Sequence, residues 1–304
     1  MRRLDIGICS FRNPEKLRKC LQSVADLSTT DFRCLIVHNA SDDEESAQAL
    51  DVANTWRTWD GRFVVECGPN IGYAGAVNRI ARWAETPYFV YLDNDTEILT
   101  PGWDEKLCAV MDQDQRIGQV FPGAGHYGFD NGQYHECLWN AGYAWVFRKS
   151  ATDWPDHRAM IGTLMDERIG HHEEVDLMIR LRLAGYRIAA APDVQIAHHE
   201  TATNSPESAK RIHAGVVRWM NRWNRYFVGE ELKYPNPDPD SGEGYDPRAL
   251  RYTDWPPCAL YLERWTLAQF PQWNAAPRVV QTSAGPMDAV EILKPTGCYK
   301  GRAI

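Results

Sequence analysis

Two aspartates at the end of an apolar run are the residues of this sequence best suited to metal chemistry. The run at residues 88–92 leads directly into Asp93, Asn94 and Asp95. Hard divalent cations prefer oxygen ligands, and Mg²⁺ or Mn²⁺ commonly bridge carboxylates to the phosphates of a substrate. Aspartate and asparagine are also ordinary turn residues, so an Asx-turn explains this triplet about as well as a metal does. The buried strand expected in front of it favours the metal site.

A second acidic cluster starts a helical pattern near residue 173. At ~100° per residue, Glu174 shares a face with three apolar residues further along this helix. An acid on an apolar face is costly to bury unless it has a function, so Glu174 is a candidate functional acid. Glu173, Asp176 and Arg180 share the neighbouring polar face, where Asp176 pairs with Arg180 four residues later. A solvated, salt-bridged face explains these three residues equally well.

Two further patterns are informative mainly through their positions. Residues 194–200 form a short strand pattern that ends in His198 and His199. By itself, a pair of histidines is more often a surface or hydrogen-bonded feature than a metal site. Residues 70–78 form a glycine-rich turn that opens a helix. Such a turn brings backbone N–H groups close to a phosphate or ribose, although it is more often a plain helix start.

The elements that position these residues alternate between strands and helices. Apolar runs predict strands at residues 4–9, 32–38, 62–66 and 88–92, and helical patterns run through residues 17–24 and 76–83. This alternation predicts an α/β fold with a parallel sheet, in which ligands bind outside the carboxyl ends of the strands. Residues 121–148 look like a loop that ends in a strand at 144–147. A helix at 173–184 and a strand at 186–190 follow.

The composition limits the class of protein. With 304 residues, 44% of them hydrophobic, the chain is long enough for one large α/β domain with an appendage. No apolar run approaches the ~20 residues that span a bilayer, and polar residues interrupt any signal-peptide core near the N-terminus. The eight cysteines include no C-x-x-C pair, which indicates a reducing compartment. We therefore expect a cytoplasmic protein whose net charge of −8 gives no overall attraction to nucleic acid.

Several of these motifs, in this order, resemble those of family 2 glycosyltransferases of the GT-A fold, in particular the rhamnosyltransferase-like members. Residues 93–95 resemble the D-x-D element, residues 70–78 the N-x-G-x-A-G-x-x-N segment, and residues 36–41 the second strand and its turn. Residues 173–180 resemble the E-D-x-D-L-x-x-R motif, with Glu174 in place of the usual Asp. Residues 140–148 resemble the strand that lines the acceptor side, and the likeness covers about residues 4–205.

The resemblance implies a Rossmann-like, mostly parallel sheet flanked by helices. It also implies an inverting, metal-dependent transfer of a sugar from a nucleotide-diphosphate sugar to an acceptor hydroxyl. We expect the GT-A domain at residues 1–230, a proline-rich linker at 231–247 and a C-terminal extension of unknown role at 248–304. UDP is the default nucleotide, and dTDP and GDP stay open, because His38 stands where many members carry an Asp that reads the uracil ring.

The resemblance also assigns roles to single residues. Glu174 takes the place of the catalytic base, and Asp95 and His198 are expected to hold Mn²⁺ or Mg²⁺, with His199 as the fallback for His198. The residues expected at the nucleotide sugar are Cys9, Phe11, Arg12, His38, Asn70, Gly72, Gly75, Asn78, Asp93 and Asn94. The residues expected to contact the acceptor or support the site are Glu173, Asp176, Arg180 and Trp145.

The identity of the acceptor is left open, with glycans and lipid-linked molecules among the candidates. Residues 205–227 form an amphipathic helix pattern in which basic residues alternate with aromatic ones. Such a helix suits a lipid-linked acceptor at a membrane surface or a polynucleotide, including a modified base in DNA. The favoured alternative is a helix packed on the core with a basic outer face. The basic residues of this helix are Lys210, Arg211, His213, Arg218, Arg222 and Arg225.

Two other classes of protein fit parts of the pattern. A nucleotidyltransferase also uses paired acids and a metal, but it requires a glycine-rich loop with a lysine near the first strand, which residues 12–14 do not match. A non-catalytic nucleotide-sugar-binding protein would lack either the metal-binding acid or the base, and the sequence carries candidates for both. Neither class explains the ordered motifs together.

Overall fold

The computed structural model describes residues 2–123, 129–130, 132–137, 142–152, 164–170, 172–199, 214–215, 218–219, 222, 279–282 and 285–288. The predicted linker at 231–247 lies outside these residues, as do most of the predicted extension and most of the predicted helix at 205–227. Among the residues described, no helix has the length and apolar character needed to cross a bilayer.

The chain folds into alternating strands and helices. The longer helices are α1 (Pro14–Leu27), α2 (Glu44–Trp59), α3 (Gly72–Trp83), α4 (Trp103–Gln113) and α5 (Glu173–Leu183). The strands are β1 (Leu4–Ser10), β2 (Phe32–Ala40), β3 (Phe63–Pro69), β4 (Tyr88–Asp93), β5 (Thr96–Ile98), β6 (Ile117–Pro122), β7 (Phe129–Asp130), β8 (His135–Glu136), β9 (Ala144–Arg148), β10 (Arg187–Ala191), β11 (Ile196–His198), β12 (Val279–Thr282) and β13 (Gly285–Asp288).

A nine-stranded sheet in the order β3-β2-β1-β4-β9-β6-β10-β8-β7 forms the centre of the fold. β1 pairs in parallel with β2 and β4, β2 with β3, and β6 with β10, while β9 runs antiparallel to both of its neighbours. The α/β fold with a mostly parallel sheet, predicted from the alternation of elements, is therefore confirmed. Two short antiparallel pairs, β5 with β11 and β12 with β13, complete the described strands.

The sheet is covered on both faces, and each face has its own apolar core. Side chains from α1, α2 and α4 pack on one face, and side chains from α3 and α5 pack on the other. Close packing is clearest at Gly7 on β1, where an added Cβ would lie 2.2 Å from the nearest atom of Ile80 on α3. This contact seats α3, and with it the glycine-rich turn, directly against the central strand.

Most of the predicted elements are present, and several further elements are added. The strands predicted at 4–9, 32–38, 62–66, 88–92, 144–147 and 186–190 correspond to β1, β2, β3, β4, β9 and β10, and the helix at 173–184 corresponds to α5. α2, α4 and β6 were not predicted from the sequence. α2 nevertheless carries a local start signal, because the Asp43 side chain accepts a hydrogen bond from the Ser46 backbone N–H at 2.9 Å. The loop predicted at 121–148 is wrong at its start, where β6 continues to Pro122.

Candidate active site

The candidate site lies where β1, β2 and β4 end. These strands are parallel and in register, so Cys9 on β1 lies opposite both Val37 on β2 and Asp93 on β4. Polar residues that follow the three strands therefore meet at one edge of the sheet. This is the edge at which open α/β sheets bind their ligands.

Three side chains form what we call the acidic corner: Asp93, Asp95 and His198. Asp93 ends β4, and a tight turn leads into β5, whose Thr96 pairs with His198 on the antiparallel strand β11. The pairing brings His198 Nε2 to 3.2 Å from an oxygen of Asp95 and 3.9 Å from an oxygen of Asp93. One ligand atom from each residue lies within 4.8 Å of the other two.

The chemistry of the acidic corner fits a divalent cation. Burial raises the pKa of Asp93 to about 7, and the charge of Asp95 acts in the same direction, while Tyr91 and His198 oppose it. Burial alone would raise the pKa of Asp95, but the hydrogen bond and charge of His198 outweigh it and hold that pKa below its usual value. A cation between the carboxylates would relieve their mutual repulsion, and a mixed oxygen and imidazole set suits Mn²⁺ well. Asp93, predicted to contact the nucleotide sugar, lies with Asp95 and His198 in this candidate set.

Two tyrosines that the sequence analysis missed support the corner. The Tyr91 hydroxyl donates a hydrogen bond to Asp93, and the Tyr143 ring stacks on the His198 imidazole with centroids 4.6 Å apart. Tyr91 precedes Asp93 by two positions on β4, so both side chains lie on the same face of the strand. This alternation was a signal that the sequence offered for Tyr91.

The second histidine of the pair lies outside the corner. The His199 ring contacts an oxygen of Glu97 at 2.8 Å, and its backbone N–H donates to the carbonyl of Asp95 at 2.8 Å. Lys16 at the start of α1 donates to the His199 carbonyl. The fallback histidine thus holds the paired strands β5 and β11 together, and His198 is the one placed with the two aspartates.

Glu174 lies in the first turn of α5, against the turn that precedes β9. A Cβ added to Gly142 would lie 3.1 Å from the Glu174 Cγ and 2.9 Å from the Tyr73 hydroxyl, so glycine makes room for both side chains. Burial and the charge of Glu173 raise the pKa of Glu174 to about 7, and the charge of Asp93 adds to the shift. A carboxyl group with a pKa near neutrality is suited to accepting a proton at physiological pH.

The polar face of α5 is buried, which corrects one of the two interpretations of it. Asp176 and Arg180 are paired at 2.7 Å, as predicted, but their side chains are 0% and 1% exposed. Glu173 is also buried, with 7% exposure. The prediction of a solvated, salt-bridged face is therefore wrong, and these residues belong to the interior that supports Glu174.

The turn before α3 presents backbone to the same edge. The Asn39 side chain at the end of β2 accepts a hydrogen bond from the Ile71 N–H at 3.1 Å, and the Asn70 side chain accepts one from the Gly72 N–H at 2.9 Å. Asn70 and Gly72 are exposed, and Gly72 has a φ of 70°, which glycine adopts without strain. Asn39 is a further positioning residue that the sequence analysis did not single out.

The loop between β1 and α1 is held by the side chain of Asn94, the residue after β4. The Asn94 amide donates to the carbonyls of Arg12 at 3.0 Å and Phe11 at 3.4 Å. Arg12 stands over the Phe11 ring at 5.0 Å and pairs with Asp43 at 2.8 Å. Phe11 and Arg12 stay half-buried at the edge of the site, whereas Asn94 is buried and fixes them in place.

Three of the residues predicted at the nucleotide sugar, His38, Asn78 and Gly75, are buried and contact other parts of the protein. His38 is 1% exposed, and its ring nitrogens lie 3.1 Å from the hydroxyls of Ser10 and Ser46. Burial also lowers the pKa of His38, which keeps it neutral. The Asn78 amide is buried and donates to the carbonyl of Met165 at 2.9 Å and to Glu167 at 2.8 Å. Gly75 is buried in α3, where an added Cβ would lie 2.9 Å from Ile71.

Trp145, predicted to contact the acceptor or support the site, lies beneath it. The side chain is 1% exposed and stacks on the Tyr91 ring with centroids 5.3 Å apart. Its indole N–H donates to the Tyr73 hydroxyl at 3.5 Å. Tyr73, Tyr91 and Trp145 thus form a packed aromatic layer between the acidic corner and Glu174. Cys9 is buried next to this layer and accepts a hydrogen bond from Asn39 at 3.4 Å.

Comparison with known proteins points to one family. Residues 5–164, more than half of the chain, match the family described as Glycosyl transferase family 2. A stretch of 98 residues, 32% of the chain, is 34% identical to a teichoic acid poly(glycerol phosphate) polymerase of Staphylococcus epidermidis. That match covers 13% of the polymerase, so the similarity is to a small part of a much longer protein.

Solved structures show the same fold at low sequence identity. Residues 1–349 of S. aureus TarS align with a TM-score of 0.51 and 13% identity, covering 76% of this chain and 76% of that one. The mannosyltransferase PcManGT from Pyrobaculum calidifontis, solved with GDP-Man and Mn²⁺, aligns with a TM-score of 0.54 and 13% identity. That alignment covers 90% of this chain and 83% of the mannosyltransferase, well beyond residue 164.

Proposed function

Given that this chain belongs to glycosyl transferase family 2 and is a glycosyltransferase, we propose that it transfers a sugar from a nucleotide-diphosphate sugar to an acceptor hydroxyl with inversion. The observation that supports this proposal best is the convergence of the acidic corner and Glu174 at one edge of the sheet. The charge of Asp93 is close enough to Glu174 to raise its pKa. A site for a diphosphate and a site for a base therefore lie within reach of one substrate.

The acidic corner would hold the donor through a divalent cation. Asp95 and His198 are the proposed ligands, and Asp93 is added to them because of its position. A bound Mn²⁺ or Mg²⁺ would offset the negative charge that builds up on the departing diphosphate. The structure of PcManGT contains both GDP-Man and Mn²⁺, which supports this combination for a protein of the same fold.

Glu174 would act as the general base. In an in-line displacement, the acceptor oxygen bonds to the anomeric carbon while the bond from that carbon to the diphosphate oxygen breaks. The acceptor proton passes to Glu174, and the bonding electron pair leaves with the nucleoside diphosphate. A single displacement inverts the configuration at the anomeric carbon. General-base catalysis of this kind contributes roughly 10²–10⁴-fold to the rate.

The donor nucleotide would lie over the ends of β1 and β2. Phe11 and Arg12 at the end of β1, with Asn70 and Gly72 at the start of α3, are the predicted contacts that remain accessible there. UDP is the default nucleotide, and dTDP and GDP are the alternatives. His38 does not distinguish between them by direct contact, because both of its ring nitrogens face buried serine hydroxyls.

The acceptor would be a hydroxyl group of a glycan or a lipid-linked molecule, with a modified base in DNA as the alternative. The case for a polynucleotide depended on the basic and aromatic residues of the helix predicted at 205–227. Among the residues described there, Arg222 is turned inward, onto Asp166 and Asp176. Removing Arg222 from the outer face weakens the case for binding phosphates.

Donor hydrolysis tests the proposal without knowledge of the acceptor. The protein is incubated with Mn²⁺ and, separately, UDP-glucose, UDP-GlcNAc, GDP-mannose and dTDP-rhamnose, and release of the nucleoside diphosphate is measured. We expect release from one donor, abolished by a chelator, with an initial sugar product of inverted configuration by NMR. Saturable binding of a donor with no release would instead favour a non-catalytic nucleotide-sugar-binding protein. Transfer to duplex DNA containing 5-hydroxymethyl pyrimidines, but not to glycans, would favour the modified-base alternative.

A further inference from the structure

A buried cluster of charges joins three separate segments of the chain behind Glu174. Its members are Asp166, Asp176, Arg180 and Arg222, all beyond the residues that match the family. Arg222 donates one hydrogen bond to Asp176 at 2.9 Å and another to Asp166. Arg180 donates to Asp176 at 2.7 Å and to the carbonyl of Leu164 at 2.8 Å.

Because the two carboxylates of this cluster are buried, each of them requires a positively charged partner. The side chains of Asp166 and Asp176 are 3% and 0% exposed, and that of Arg222 is 24% exposed. Burial alone would raise the pKa of Asp166, but the hydrogen bonds from Arg168 and Arg222 outweigh it and hold the pKa well below its usual value. Removing one partner of a buried pair leaves an uncompensated charge, which is strongly destabilising. Arg222 contacts both carboxylates.

Two neighbours of Arg222, Arg218 and Trp219, contact residues that lie just before α5. Trp219 is 5% exposed, and its ring lies 5.4 Å from the ring of His172, the residue before α5. The Arg218 guanidinium donates to the carbonyl of Ile169 at 3.3 Å. His172 has a φ of 64° and makes no side-chain cap to α5. The start of this helix is therefore held by contacts from outside it.

We propose that Arg222 is a positioning residue, which clamps the first turn of α5 to residues 164–170 and so fixes the carboxylate of Glu174. Asp176, the anchor on the helix, lies two residues from Glu174 in the same turn. The contact with Asp166 prevents that turn from shifting relative to the segment that also binds Asn78 on α3. Because a displacement of ~1 Å at a reacting group costs about 100-fold in rate, a clamp at this point controls turnover. The inference rests on the proposed function, since it takes Glu174 as the base.

Two variants separate an effect of Arg222 on the position of Glu174 from an effect on stability. One removes Arg222 alone, and the other also removes one of the negative charges that it balances. Arg222→Met removes both hydrogen bonds and leaves Asp166 and Asp176 with fewer cations. The double variant Arg222→Met with Asp166→Asn restores the charge balance, because Asp176 keeps its pair with Arg180. Arg116→Met is the matched control, since Arg116 pairs with Asp114 on an exposed surface away from the site.

Two measurements are made on the full chain: hydrolysis of the donor identified above with Mn²⁺, and hydrogen–deuterium exchange of peptides covering residues 172–183. For Arg222→Met we expect kcat to fall at least tenfold, KM for the donor to stay within twofold, and exchange in α5 to rise. In the double variant we expect Tm to return toward that of the wild type while kcat stays low and exchange stays high. Arg116→Met leaves kcat, KM and exchange in α5 unchanged.

Three results would overturn the clamp: unchanged kcat in Arg222→Met, recovery of kcat together with Tm in the double variant, or unchanged exchange in α5. Recovery together would mean that Arg222 acts on stability alone. If the wild type releases no diphosphate from any of the four donors, the proposed function fails instead. The exchange measurement still decides whether Arg222 holds α5, because it requires no turnover.

Discussion

The acidic corner and the first turn of α5 hold their carboxylates in different ways. In the corner, Asp93 and Asp95 are two residues apart, and the third member arrives through one short antiparallel pair, β5 with β11. At α5, Glu174 depends on residues 142, 164–170 and 222, which reach it from distant parts of the chain. Two of the three corner residues thus come from one turn, whereas the proposed base is positioned by several tertiary contacts.

In both regions, burial raises the pKa of a carboxyl group, but the groups around that carboxyl differ. Burial and a like-charged neighbour raise the pKa of both Asp93 and Glu174 to about 7. In the corner, His198 and Tyr91 oppose the shift, as expected for groups that share a cation or a hydrogen-bond donor. Beside Glu174, Glu173 and Asp93 both favour the protonated form. Asp93 and Glu174 therefore both titrate near neutral pH in the metal-free protein, and Asp95, whose pKa is lowered, is the carboxylate of the corner that stays charged.

The largest expected effect separates chemistry from binding. Glu174→Gln keeps the shape of the side chain but removes its basicity, so we expect kcat for donor hydrolysis to fall about 10²–10⁴-fold with KM for the donor unchanged. Wild-type kcat/KM should also fall about tenfold per pH unit below pH 7, as Glu174 becomes protonated, since its pKa is about 7.

Glu173→Gln is the matched control, because Glu173 is the adjacent acid in the same turn. At saturating Mn²⁺, which would keep Asp93 ionised, we expect Glu173→Gln to retain the acidic limb of the pH profile and Glu174→Gln to lose it. A larger loss of kcat in Glu173→Gln than in Glu174→Gln would show that Glu174 is not the base.

The next effect concerns the corner alone. His198→Ala removes the imidazole from the ligand set, and we expect the affinity for Mn²⁺, measured by calorimetry with UDP or GDP present, to fall at least roughly 10–100-fold. His199→Ala is the control, since His199 pairs with Glu97 rather than with the two aspartates. Equal losses in the two variants would show that the β5–β11 pair as a whole, and not His198, sets the affinity for Mn²⁺.

Much of the corner could be predicted from the sequence, and much of the support for Glu174 could not. An apolar strand that ends in two aspartates, and a second strand that ends in histidine, carry their signals within a few residues. The buried partners of His38 and Asn78 could not be predicted, because motif position does not reveal whether a polar side chain finds a partner inside the protein. Arg222 was assigned to an outer face because helical periodicity shows which residues share a face but not what that face contacts. Tyr143 and Gly142 carry no pattern of their own, since their roles arise only when β9 lies beside β4.

A smaller effect is expected from Gly142→Ala, which disturbs the base and leaves the corner intact. The added methyl would lie 2.9 Å from the Tyr73 hydroxyl and 3.1 Å from the Glu174 Cγ, so one of these side chains must shift. We expect kcat to fall about tenfold through misplacement of the base, with the affinity for Mn²⁺ unchanged. A variant that keeps wild-type kcat would show that the position of Glu174 tolerates this shift.

The smallest effect is on stability. The pKa of Glu174 is raised above its value of 4.5 in the unfolded chain, so the fold binds an extra proton and loses stability as pH rises from about 4.5 to about 7. Glu174→Gln avoids this loss, and we expect its Tm to exceed that of the wild type by on the order of 2–4 °C above pH 7, with no gain at pH 4. A gain that is equal at both pH values would mean that the charge of Glu174 is not the cause.

Thermal stabilisation by UDP, GDP and dTDP, with and without Mn²⁺, is the most direct test of the account. The wild type, Asp95→Asn and Glu174→Gln are compared, because ligand binding to the native state raises apparent stability by mass action. We predict that one nucleotide raises the Tm of the wild type and of Glu174→Gln only when Mn²⁺ is present, and that Asp95→Asn loses this response. A response that survives in Asp95→Asn, or that needs no metal, would contradict the proposal that the acidic corner holds the donor through a cation.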